Sequence, residues 1–188
     1  MDLRCRTGLA QSVVMNTDEF WKLVDEARAE GGGANAVAGR AAAVLETRDP
    51  AEIVGCDQHI RRVLGASYRV DLWGAAYLIN GGCSAEGFDA FRGWLMTQGR
   101  QAYAKAVSDP DSLAELPAVR RAAATGEEFE CEAMLDVARV AHHKATGVEL
   151  PKVTPRQPEL NDFWDFDDED QVRRHLPKLA ELFQEPPE

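Results

Sequence analysis

Cys83 and Ser84 follow Gly81-Gly82 and precede an apolar-periodic run, which places them at the start of a helix. Unpaired backbone N–H groups and the helix dipole at such a terminus can lower a thiol pKa and hold an anion, the setting of a nucleophilic cysteine or a phosphate site. A catalytic thiol also needs a base, and no recognisable spacing ties His59, His142, His143 or His175 to Cys83. A buried thiol beside a capping serine is the simpler reading. The glycines spell neither a phosphate loop nor a dinucleotide fingerprint, because the segment joins two helices where those motifs follow a strand.

Asp89, Arg92, Gln98 and Arg100 surround the same corner, with Asn80 able to face it. Arginine suits carboxylate or phosphate recognition, so one expectation is a small anionic or amide-bearing ligand resting between Trp73, Tyr77 and Trp94. The other is an Asp–Arg pair and a buried Arg that satisfy backbone carbonyls where helices meet. The candidate ligand-binding set is therefore Trp73, Tyr77, Asn80, Cys83, Ser84, Asp89, Arg92, Trp94 and Arg100, expected to converge on a shared hollow. No metal site or cofactor is expected. His142 and His143 point about 100° apart on a helix, and the run from Asp165 has Asp170 and Leu176 where a calcium loop needs Gly and Glu.

Helices must position these residues. Thr17 can cap a first helix carrying Phe20, Leu23, Val24 and Ala27, which stops at Gly31-Gly32-Gly33. A second covers Ala34 to Thr47, and Asp49-Pro50 opens a third that runs to about Gly65. Leu72, Ala75, Ala76 and Ile79 form one apolar face of a fourth and Trp73 with Tyr77 another, which makes that helix central. Ser84 caps a fifth with Phe88, Phe91 and Leu95 inward, and Asp89 and Arg92 are spaced to pair on its flank. A short helix follows around Tyr103 to Val107, and Asp109-Pro110-Asp111-Ser112 opens a short turn. Thr125-Gly126 precedes one long helix with Met134, Val137, Ala138, Ala141 and Ala145 on its inner stripe. Gly147 ends it, Pro151, Pro155 and Pro158 form an extended connector, and a last amphipathic helix runs from Gln171 to Phe183, kinked or delayed by Pro177. No strand-like alternation or internal repeat is present. The expected fold is all-α, a single compact multi-helix domain over residues 15–147, preceded by a poorly packed extension over 1–14. Residues 148–188 add the connector, an acidic aromatic segment and the terminal helix, packed on the domain.

Composition narrows the function classes. The 188 residues carry a formal charge of −11, and residues 159–188, with ten acids against three bases, hold −7 of it. Such a surface repels phosphate backbones and favours a basic partner. Cys5, Cys56, Cys83 and Cys131 form no paired motif, and no apolar run is long enough to span a membrane, so a cytoplasmic location with free thiols is expected.

The string from Leu72 to Ser84, with Gly87-Phe88, Phe91-Arg92-Gly93-Trp94-Leu95 and Gln98-Gly99-Arg100, resembles the uncharacterised bacterial family DUF4240. Phe20-Trp21 and the run Trp164 to Asp168 look like its outer signposts, so the resemblance extends from Met15 to about Leu182. It implies no activity, cofactor or catalytic residue; similar domains occur alone or beside regulatory-looking modules. Members often carry an acidic residue where this chain has Ala85.

Three functions remain open. The first is a non-catalytic binding or regulatory module for a partner protein or small anionic ligand. The others are an enzyme using Cys83, or Asp89 with an Arg clamp, and an immunity-like protein that neutralises a basic toxin. The acidic aromatic run from Phe163 to Asp170 likewise has two readings: rings that anchor the C-terminal segment while the acids stay in water, or a surface for a basic protein.

Overall fold

The computed structural model describes residues 15–151, 159–160 and 162–184; the expected extension over 1–14 and most of the proline-rich connector lie outside them. Among the described residues every regular element is helical. The α-helices are α1 (Thr17–Ala29), α2 (Ala34–Leu45), α3 (Pro50–Ala66), α4 (Val70–Asn80), α5 (Ala85–Thr97), α6 (Arg100–Ser108), α7 (Pro117–Thr125), α8 (Glu132–Leu135), α9 (Val137–Thr146), α10 (Glu169–His175) and α11 (Pro177–Phe183). A 3-10 turn (Pro110–Glu115) links α6 to α7. No helix among these residues is long and apolar enough to cross a membrane.

Local chemistry sets the boundaries. Asn16, one residue before the expected Thr17, caps α1 in a reciprocal box with Glu19, and Asp49 with Glu52 does the same for α3 behind Pro50. Ser84 caps α5 as expected, accepting from the Gly87 amide at 3.1 Å. Pro177 divides the last helical run into α10 and α11 at Leu176, because it can only begin a helix.

Helix α5 lies at the centre, with every residue from Phe88 to Thr97 except Asp89 buried. It packs against α1, α2, α4, α6 and α8, while α9 covers α2 and α3. Full burial of Phe88, Phe91 and Leu95 contributes about 1.5–3 kcal/mol for each side chain relative to exposure.

The long helix expected after Gly126 does not form. Residues 127–131 instead cross α5 outside any helix: the Phe129 amide and carbonyl bond the Asn80 side chain at 3.0 and 3.3 Å, and the Cys131 amide bonds the Ala90 carbonyl at 2.9 Å. These bonds and the stacking of Phe129 on Trp94, centroids 4.2 Å apart, replace the helical ladder. Beyond the crossing, α8 and α9 are separate helices broken at Asp136, one against α5 and the other against α2 and α3. Helix α7 is an addition to the elements read from the sequence, begun by Pro117 and ended at Gly126 in the left-handed region.

The crossing is possible because position 93 has no side chain: a Cβ there would lie 2.2 Å from the Cys131 carbonyl oxygen. Gly93→Ala is expected to destabilise the protein by about 1–3 kcal/mol or more, since backbone must move. Gly39→Ala, in α2 with open space around it, is expected to stabilise by about 0.5–1 kcal/mol. Urea unfolding of both variants checks the contrast, and similar shifts in the two would contradict the crossing.

Candidate recognition face

The structure divides the nine candidate residues among four places, so the expected shared hollow is not formed. Trp73, Cys83, Ser84, Asp89 and Arg92 lie about the first turns of α5, the first three at the α4–α5 hairpin and the last two toward α3. The Trp73 indole donates to the Cys83 carbonyl at 3.0 Å, and its ring stacks on Phe88 with centroids 5.0 Å apart. Asn80 and Trp94 lie at the crossing just described. Tyr77 meets the C-terminal segment, and exposed Arg100 pairs with Asp18 of α1 at 2.6 Å.

Arg92 is 2% exposed, not on a flank as its spacing with Asp89 suggested. Its guanidinium bonds Asp89, donates to the Phe88 carbonyl at 3.3 Å and to the Leu64 carbonyl at 2.5 Å, and lies over the Tyr68 and Phe88 rings. Leu64 is in the last turn of α3, where carbonyls lack helical partners and a positive charge is favoured. The Tyr103 hydroxyl serves the neighbouring Val63 carbonyl at 2.6 Å. Burial lowers the Arg92 pKa, opposed chiefly by the Asp89 charge. Arg92 is therefore a bolt between α3 and α5 with its donors engaged internally.

The Cys83 thiol is pushed up to about 11, first by burial and then by the Glu130 charge, with Arg92 opposing. That direction is opposite to the lowering by which a helix terminus activates a thiol. Cys56 rises to about 12 through burial alone. His142 bonds the Val148 carbonyl through Nδ1 at 2.9 Å, and His143 faces Glu149 at 3.2 Å. Among the described residues no three metal-donor side chains gather as a site.

Besides a cleft of about 700 Å³ lined by Asp25, Arg28 and Arg100, two surface features bear on recognition. A cleft of about 350 Å³ at the start of α2 is lined by Gly33, Asn35, Trp94, Gln98, Arg121 and Glu127 to Glu130. Its Trp94 wall is buried beneath Phe129, and its rim mixes charges of both signs. The other is an aromatic face built from α4 and the segment 162–168. Trp73, Phe163, Phe166 and Tyr77 form a continuous row, with successive centroids 5.8, 5.7 and 5.6 Å apart. Phe163 is 56% exposed. Asp162, Asp165 and Asp167 are exposed beside it, and none forms an ion pair among the described residues. The Tyr77 hydroxyl donates to Asp167 at 2.8 Å, which raises the Tyr77 pKa.

Trp164 anchors this segment. It is 8% exposed, lies over Gly74, donates its indole N–H to Asp71 at 2.9 Å and stacks on His175, whose Nδ1 lies 3.2 Å from the same carboxylate oxygen. Asp111, from the 3-10 turn and 7% exposed, accepts from the Lys178 and Leu179 amides at 3.1 and 2.9 Å and so caps α11 from another element. Asp71, Asp111 and His175 stood outside the candidate set. The one sequence signal for this contact was Gly74 inside an apolar helix, a mark of close approach.

At pH 8 a thiol whose pKa is 2 units above the ordinary value of 9.0 carries roughly a hundredth of the usual thiolate. In a Cys5→Ser background, iodoacetamide is therefore expected to alkylate Cys83 at least tenfold more slowly in the folded than in the urea-unfolded protein, with the rate climbing until pH approaches 11. Peptide mass spectrometry over time checks this, and equal folded and unfolded rates would contradict it.

No curated relative and no solved structure matches the chain. The family model DUF4240, a protein of unknown function, matches residues 15–144. That match takes in α1 to α8 and most of α9 and stops short of the acidic aromatic segment. With well over half of its length matched, the chain belongs to the DUF4240 family.

Proposed function

We propose that this protein is a non-catalytic binding module, and that its recognition surface is the acidic aromatic face of α4 and residues 162–168, which takes a basic segment of a partner protein. The observation that carries the reading is the exposure of Phe163, at 56%, within a row of rings edged by three carboxylates that pair with no cation among the described residues. Exposed aromatic area of this kind supplies contact energy, and an Arg or Lys over a ring face adds about 0.5–2 kcal/mol. The carboxylates and the overall charge of −11 steer a basic partner toward the face. A small anion finds less here, because Arg92 and Arg100 are already engaged by Asp89 and Asp18.

Fluorescence anisotropy with a labelled arginine-rich peptide and its glutamate counterpart tests the reading. The arginine peptide is expected to bind, and to weaken steeply between about 50 and 300 mM salt as screening shortens the reach of the carboxylates. Phe163→Ala is expected to cost about tenfold in affinity, or about 1.4 kcal/mol, with the melting temperature unchanged. Equal binding of the glutamate peptide, or wild-type affinity in Phe163→Ala, would overturn it.

A further inference from the structure

Resting on that reading, we infer that the notch over Gly74 controls the recognition face: the face exists only while Trp164 is seated there, so partner binding and ring seating are coupled. Half of the face belongs to α4, through Trp73 and Tyr77, and half to the segment that carries Phe163, Asp165, Phe166 and Asp167. Polar contacts of that segment and its flanking helix α10 reach α4 and end on carboxylates: Trp164 and His175 on Asp71, and Tyr77 on Asp167. The most deeply buried apolar hold is the Trp164 ring, with Phe163 on Trp73 and Phe166 on Tyr77 packed outside it. A Cβ on Gly74 would lie 2.4 and 2.7 Å from the ring carbons Cζ2 and Cη2 and 3.1 Å from Phe166 Cε1, so the ring fills the space that a side chain would occupy.

The rest of the C-terminal region is held by other means. Leu176, Leu179 and Ala180 are buried in the core, and the Asp111 carboxylate caps α11. Loss of the notch therefore frees residues 162–168 without stripping α11 from the domain. A partner that touches both halves binds the seated state better than the unseated one, and by linkage it must stabilise seating by the same factor that seating improves its affinity.

Gly74→Ala is the direct test. The added methyl meets the far end of a side chain and not backbone, so the ring is displaced while α4, gaining a better helix former, stays intact. Protein labelled with 5-fluorotryptophan gives one fluorine resonance for each of the four tryptophans, and Trp164→Phe assigns that of Trp164. In Gly74→Ala the Trp164 resonance is expected to move to a solvent-exposed position, the arginine-rich peptide to bind at least tenfold more weakly than to wild type, and saturating peptide to draw the resonance back toward its wild-type position. Wild-type affinity in a variant whose Trp164 ring has left the notch would overturn the coupling and leave the proposed function standing. No binding of the peptide to wild type would overturn both.

Discussion

Helix α4 has more apolar surface than the helices before it can cover. Its Leu72, Ala75, Ala76 and Ile79 point into the core and Trp73 stacks on Phe88, while Gly74 and Tyr77 present a second face that would otherwise be bare. The Trp164 ring over Gly74 resolves this, and it does so from a segment more than eighty residues away in the chain. A helix interior tolerates glycine at a cost of about 1 kcal/mol against alanine, and here the missing side chain is the docking space itself. Asp71, one turn earlier on the same helix, receives both the indole N–H and the His175 ring. The rings that Trp164 leaves at the surface, Phe163 above all, form the face to which function is assigned.

The side chains that resemble catalytic or ligand-binding groups elsewhere in the chain are spent on backbone. Arg92 and Tyr103 satisfy the end of α3, Asn80 holds the crossing at Phe129, and Asp111 caps α11. Each answers the same requirement, that buried amides and carbonyls at helix ends and in irregular segments find partners. Short helices multiply such ends, and this fold is built largely from short helices. Its polar core is accordingly a set of fasteners.

Local features of the sequence carried much of this structure. Pro50, Ser84 and Gly81 mark helix ends where the chain places them, and the apolar stripes of α1 to α5 face inward as their periodicity requires. The failures are tertiary. Residues 127–131 lead into α8 and α9, yet bonds to Asn80 and Ala90 hold them outside any helix, and the absent side chain of Gly93 makes that crossing possible. The Asp89–Arg92 spacing gives the pair but not its burial, which depends on α3 ending beside it. The division of the candidate residues among four places has the same origin, because neighbours on a hairpin share a turn without sharing a side. The aromatic acidic run was visible as composition, while its docking on α4 depends on a contact between residues 74 and 164 that no local pattern encodes.

The central proposal is that the α4 face takes a basic segment, and backbone and indole NMR shifts during titration with an arginine-rich peptide test it most directly. Shifts concentrated on Trp73, Tyr77 and residues 163–167 are the expected result. Shifts confined to the cleft at Gly33, Asn35 and Arg121, with the α4 face silent, would contradict the account.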